Sequence, residues 1–243
     1  MTSPMPALVL LAHGTKDAAG TVEIDRLAAL LRTELPAVVV AYADVRPPTL
    51  ADALATVEGP AVVVPAFLSA GYHVRVDVPA QLAAVGRCEV SLADALGPDR
   101  LLADAAAERL IAAGWRAGDE VVLAAAGSTE PQAIQDVRTA ADLLGGRLGG
   151  QVRVGYATGR PRVAEVVIQA RGDKGGRVAV ASWLLAPGLF HRVLAAAGAD
   201  VVADPLGAHA RVAEVIRARY DAASYFAESC PVPPGTGAAG DNG

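Results

Sequence analysis

Only four histidines occur in the 243 residues, and two of them, His13 and His73, can be combined with Asp44 into a reactive set. Two imidazoles and one carboxylate suit a divalent first-row metal such as Fe²⁺ or Co²⁺. A neutral imidazole also accepts a proton near pH 7, so either histidine could serve as a general base. His13 sits in A-H-G-T, where Gly14 permits a sharp turn that leaves N–H groups pointing outward at the start of a helix. His73 sits in S-A-G-Y-H-V-R-V-D. Neither context has the specificity of an HExxH or paired CxxC motif, so their convergence has to come from the fold.

The surrounding pattern supplies that fold. Short apolar runs fall at 7–12, 37–43, 61–67 and 87–92, and again at 120–125, 151–156, 177–183 and 199–203, and several of them are near-continuous Val, Ala and Leu. Such runs are expected of strands buried on both faces of a parallel sheet. Helical spacing occupies 18–34, 49–57, 98–113, 131–144, 161–170, 188–197 and 207–222. The alternation predicts an α/β protein with a doubly wound parallel sheet in each half. Ligands of such sheets bind beyond the carboxyl ends of the strands. His13 directly follows the first strand, Asp44 the second, and His73 the third after a short loop containing Gly71. All three are therefore expected on one edge of one sheet.

The chain also repeats itself. ALVLLAHG at 7–14 is echoed by EVVLAAAG at 120–127, and AVVVPAFLSAGYH at 61–73 by RVAVASWLLAPGLFH at 177–191. A repeat of half the chain length marks two fused domains, expected at 1–115 and 116–228, with the join near 113–119. In the second copy Ala126 falls opposite His13, Ala157 opposite Asp44 and His191 opposite His73. The first half is thus the expected seat of the chemistry. One site is predicted, in the cleft between the halves, with His191 facing it as a ligand, a proton relay or a packing remnant. His209, in PLGAHARV, is expected to cap or start a helix. The Pro/Gly-rich stretch 229–243 is expected to be a flexible tail.

Composition narrows the partners. Formal net charge is −5 and the pI about 5.4, the wrong balance for a general nucleic-acid binder. No apolar run approaches the ~20 residues of a membrane span, and the N-terminus lacks a cationic leader. Cys88 and Cys230 show no CxxC spacing. Reduced thiols in a cytoplasmic protein are the simplest expectation.

Four segments taken together, LLAHGTKD (10–17), AYADVRPPTLADAL (41–54), VVVPAFLSAGYHVRVDVP (62–79) and ALGPDRLLADAAAERL (95–110), resemble the class II tetrapyrrole chelatases, the sirohydrochlorin ferrochelatase and cobaltochelatase family. The resemblance covers the first half with its spacings intact, and the second half resembles the degenerate copy of the long, two-domain members. It implies insertion of Fe²⁺ or Co²⁺ into sirohydrochlorin, in siroheme or cobalamin biosynthesis, with release of two pyrrole protons. It implies that His13 and His73 are the metal-handling pair. Asp44, where the family often has Glu, would be a third ligand or would orient an imidazole. No permanently bound cofactor is implied, because the metal is a substrate. The carboxylate-ringed macrocycle would need cationic and N–H donors. Arg46, Arg75 and Arg160, with Arg162 and Arg192, are candidates for bidentate pairing. Gly14, Thr15, Gly127 and Ser128, and the Gly71–Tyr72 loop, are candidates for further contacts. Phe67, Leu68, Tyr72, Trp183, Leu185 and Phe190 are candidates to cover its apolar face. Asp77 matches the family's acid after the second histidine, and DVPAQL also reads as a helix start with Asp77 as N-cap. A monomer with an internal pseudo-dimer is expected. The rival expectations are a non-catalytic carrier of metal or tetrapyrrole, and a phosphate-binding α/β protein using the HGT and AGS turns.

Overall fold

The computed structural model of the chain describes residues 5–172 and 175–227. The expected tail, with Cys230, lies outside the described residues. The apolar runs form two four-stranded sheets, every pairing parallel. In the first, β1 (Ala7–Ala12), β2 (Val38–Tyr42), β3 (Ala61–Pro65) and β4 (Val90–Leu92) run in the order β2-β1-β3-β4. In the second, β5 (Glu120–Ala125), β6 (Val152–Tyr156), β7 (Val178–Trp183) and β8 (Val201–Val202) repeat it as β6-β5-β7-β8. The first strand of each half is thus central, and β1 delivers His13 to the middle of the sheet's carboxyl edge.

The helices are α1 (Ala18–Leu31), α2 (Leu50–Ala55), α3 (Val78–Val85), α4 (Arg100–Ala112), α5 (Pro131–Leu148), α6 (Val163–Arg171), α7 (Leu189–Ala195) and α8 (Ala210–Ala227). Alternate residues of each strand face opposite ways. Leu8, Leu10, Val62 and Val64 of the first sheet, and Val121, Leu123, Ala179 and Ala181 of the second, point into one common core. Between them lie buried residues of α1, α4, α5 and α8, including Leu27, Leu110, Leu144 and Ile216. The opposite faces carry separate outer cores: Val9, Leu11 and Val63 with α2 and Val78 on one side, Val122, Val178 and Val180 with α6 and Leu194 on the other. The layers therefore run outer helices, sheet, four helices, sheet, outer helices.

The two central carboxyl-side helices are exchanged. Helix α4, which follows β4 of the first sheet, lies against β7 of the second; α8, which ends the second copy, lies against β3 and β4 of the first. Polar anchors fix the crossing. Tyr220 is fully buried and its hydroxyl donates to Pro6 O at 2.6 Å; Ser91 Oγ donates to Ala223 O at 3.0 Å. Arg109 on α4 donates twice to Leu206 O, at 3.2 and 3.0 Å. Arg219 on α8 makes the mirror contact, donating to Leu96 O and Ala95 O. Each such guanidinium satisfies turn carbonyls of the other half that would otherwise be orphaned at a low-dielectric junction.

Two expectations need correction. Residues 73–85 are helical, whereas no helix was expected between 57 and 98 beyond a start at DVPAQL. His73–Asp77 is a single π turn that runs straight into α3: Val78 N–H donates to His73 O, and Pro79 follows as the second residue of α3. Asp77 is therefore not an N-cap: its backbone is already helical (φ −68°, ψ −48°) and its side chain caps no N–H of α3. The second correction concerns the repeat. His13 O accepts from Asp44 N–H and Ala126 O accepts from Thr158 N–H. The counterpart of Asp44 is therefore Thr158 rather than Ala157, which instead matches Ala43.

Candidate metal-handling site

His13 leaves the end of β1 through a turn that only glycine allows. Gly14 has φ +97°, and a Cβ there would stand 2.1 Å from Asp44 O; Gly127 repeats this with φ +109° and Thr158 O at 2.0 Å. Gly14→Ala should therefore cost about 3 kcal/mol through backbone strain and the forced displacement of Asp44. Thermal unfolding should show it as a Tm lowered by roughly 10 °C. The glycine's first task is thus to let the β1 and β2 turns touch.

His73 comes to the same spot from the π turn. The His13 and His73 ring centroids are 4.7 Å apart, and Phe67 packs near both at 6.1 and 6.2 Å. Burial, and second the charge His73 would carry, push the His13 imidazole below its ordinary value; Asp44 opposes weakly. His13 therefore stays neutral, and able to bind a cation or take a proton, to a lower pH than a free histidine. Free-enzyme activity that needs neutral His13 should have an acid limb below the ordinary histidine value of ~6.5. A kcat/KM–pH profile with its acid limb above that value contradicts this assignment.

Asp77 lies one π turn beyond His73, and its Oδ2 is 2.6 Å from His73 Nδ1. With the imidazole neutral, Nδ1–H donates to the carboxylate and Nε2 keeps its lone pair. A carboxylate behind a histidine fixes the tautomer and ring angle and raises basicity, as in carboxylate–histidine–metal triads. The sequence reading missed this pairing, although the H-x-x-x-D spacing held the signal: residues four apart on a helix share a face. Orientation thus falls to Asp77. Asp44 is exposed and its Oδ1 accepts from the adjacent Val45 N–H at 2.6 Å. Among the described residues no group of three or more His, Cys, Asp or Glu side chains is placed to hold a metal ion.

Above the pair opens a cleft of 590 Å³ between the carboxyl edges of both sheets. Its walls are mostly apolar. Phe67, Leu68 and Tyr72 line one side and Trp183, Leu185 and Phe190 the other. Gly14, Thr15, Gly71 and Ser128 line it as well, and so does His191, one turn into α7. Thr15 Oγ1 accepts from Asp17 N–H and Ser128 Oγ from Glu130 N–H, so both hydroxyls brace the turns that open α1 and α5.

The arginines are not gathered there. Arg46 donates to Thr21 on α1 and stacks its guanidinium 5.0 Å from the Tyr42 ring centre. Arg75 lines a separate depression behind the His73 loop, with Asp94, Gln132 and Arg219. Arg160 is exposed near Glu165, and Arg162 donates to Ala157 O. Arg192 follows the cleft-lining His191 on α7 and pairs with Asp17 of the first half at 2.5 Å. His209 starts α8: its Nδ1 accepts from Arg211 N–H at 3.2 Å and its Nε2 is 3.1 Å from Glu108.

This duplicated parallel α/β fold, with paired histidines lining an interlobe cleft, is a chelatase-type architecture. The chain belongs to the CbiX family, whose profile matches residues 7–113 and again 120–223. No curated protein sequence matches significantly. Among solved structures, SirB from Bacillus subtilis with Fe³⁺ superposes with a TM-score of 0.78 at 20% identity, over 92% of this chain and 97% of that one. The sirohydrochlorin chelatase SirB from Bacillus subtilis subspecies spizizenii, in complex with cobalt, gives 0.74 at 20% identity, over 92% and 96%. CbiX, described as the terminal enzyme of siroheme biosynthesis in denitrifying bacteria, gives 0.64 at 21% identity, over 87% and 98%. Among the described residues no helix is long and apolar enough to cross a membrane.

Proposed function

We propose that the protein inserts Fe²⁺ or Co²⁺ into sirohydrochlorin at the cleft above His13 and His73. The observation that carries this is the imidazole pair, 4.7 Å apart, at the floor of a 590 Å³ apolar cleft. The family and the iron- and cobalt-bound structures of similar fold support the metal and the substrate. Two nitrogen ligands without an assembled third hold a divalent ion loosely, which suits an ion that must be handed on rather than kept. The flat face of the macrocycle rests on Phe67, Leu185 and Phe190, with Trp183 packed beneath them in the core, and excluding water there keeps the pyrrole nitrogens and the ion together. As the metal enters the ring, two N–H protons leave. His13, held neutral by its surroundings, takes one, and His191, which lines the cleft from α7, relays another to solvent. With Arg75 and Arg160 turned away, the peripheral carboxylates project through the mouth to solvent, near Arg192. One chain supplies both walls, so a monomer is sufficient.

The test mixes purified protein with sirohydrochlorin and Fe²⁺ or Co²⁺ and follows the tetrapyrrole absorption bands. Metallation faster than the uncatalysed reaction is expected. Binding without acceleration would identify a carrier and overturn the proposal.

A further inference from the structure

We infer that Asp136, on helix α5 of the second half, is a positioning residue that sets His73 through the backbone of the loop carrying it. The inference rests on His13 and His73 being the metal-handling pair. Asp136 is a carboxylate only 6% exposed, and a charge is rarely buried without a specific partner. Its Oδ2 accepts from the backbone N–H of Ala70 in the first half at 2.8 Å, and its Oδ1 accepts from Gln132 Nε2 at 2.8 Å. Ala70 is three residues before His73.

The loop between β3 and the π turn is held at two places. Near β3, Phe67 O accepts from Leu96 N–H. Nearer His73 the other bonds are local, Gly71 N–H to Ser69 O and Arg75 N–H to Gly71 O. Among the described residues, the bond to Asp136 is what ties this part of the loop to another element. The loop also runs close to the start of the second half's α5: a Cβ added at Gly71 would meet Ser128 Oγ at 3.9 Å and Ala133 Cβ, on α5, at 4.0 Å. The second copy has Ala126 where the first has His13, yet its α5 braces the histidine loop of the first.

The repeat supplies an internal control. Glu23 on α1 occupies the place of Asp136 and accepts from Ala208 N–H at 2.6 Å, across the same junction. Pro98, the first-half match of Ala208, has no N–H to offer, so Asp136 is free to hold Ala70 instead. Glu23 secures a turn that carries no metal-handling group.

The experiment titrates Co²⁺ into the purified full chain, reading the visible ligand-field bands, and measures metallation kinetics for the same proteins. Asp136→Ala, with an intact thermal transition, is expected to lower Co²⁺ affinity and kcat by about 10–100-fold, the usual cost of losing an outer partner of a ligand. KM for sirohydrochlorin should stay within about twofold, because the apolar walls are untouched. Asp136→Asn keeps an acceptor without the charge and should lose affinity by about fivefold; it decides the matter if Asp136→Ala does not fold. Glu23→Ala should lower Tm while leaving Co²⁺ affinity and kcat unchanged. A folded Asp136→Ala or Asp136→Asn with unaltered affinity and kcat overturns the inference, as does equal loss of Co²⁺ binding in Glu23→Ala. A His13→Ala/His73→Ala double variant that binds Co²⁺ like the parent overturns the proposed function instead.

Discussion

His73→Ala should lower the rate of metallation by about 10²–10⁴-fold, and His13→Ala by a comparable factor. On the proposed reading each removes one of two metal ligands, and the remaining imidazole lacks the partner whose ring centre stands 4.7 Å away in the intact pair. Groups that act as a unit are not additive, so the double variant should fall little further than the worse single one. Both side chains stand at the cleft rather than in the common core, so Tm should move by no more than a few degrees. Stopped-flow absorption with sirohydrochlorin and Co²⁺ measures the rate. A double variant that metallates at the parent rate refutes the site.

Asp77→Ala should cost about 10–100-fold in Co²⁺ affinity, and a similar factor in kcat, without removing any ligand. The carboxylate is 2.6 Å from Nδ1 and is the group that makes His73 present Nε2. Without it the ring can flip or change tautomer, and the productive arrangement becomes a fraction of the population. Asp77→Asn separates two contributions. The amide can still accept from Nδ1–H and hold the ring, though through a weaker, uncharged hydrogen bond, so it should retain more metal affinity than Asp77→Ala. Equal, parent-like affinity in both variants would show that the π turn alone orients His73.

Much of this architecture was legible in the residues. The Val, Ala and Leu runs found β1, β3 and β7 because strands buried on both faces need no alternation to be seen, and the half-exposed edge strands β4 and β6 were placed by the spacing of the repeat. The topological rule for parallel sheets then put His13 and His73 on one edge. What escaped notice depended on non-local geometry. The π turn was missed because VRVDVP contains β-branched residues and a proline, a poor helical signature that tertiary packing overrides. The Asp44 register slipped by one because both turns read alike in composition, and only the hydrogen bonds from Asp44 and Thr158 distinguish them. Arg75 and Arg160 looked like substrate cations because they follow strands. Side-chain direction, which sends Arg75 behind the loop, is set by a turn the sequence pattern did not reveal. Asp136 gave no sign at all, since a lone acid in PQAIQDVRTA looks like ordinary helix surface until the opposite half is laid on it.

The exchange of α4 and α8 limits how this molecule can move. Two lobes joined by a simple tether could swing apart to admit a large planar guest. Here each lobe is roofed by the other's helix, and any such swing would tear Leu110, Ile216 and Tyr220 out of shared packing, at ~2–5 kcal/mol for each large side chain lost. The gap between the sheets is therefore a fixed jaw, and on the proposed reading admission of a macrocycle falls to the rims: the Gly71–Tyr72 lip and the start of α7, where Asp17 pairs with Arg192.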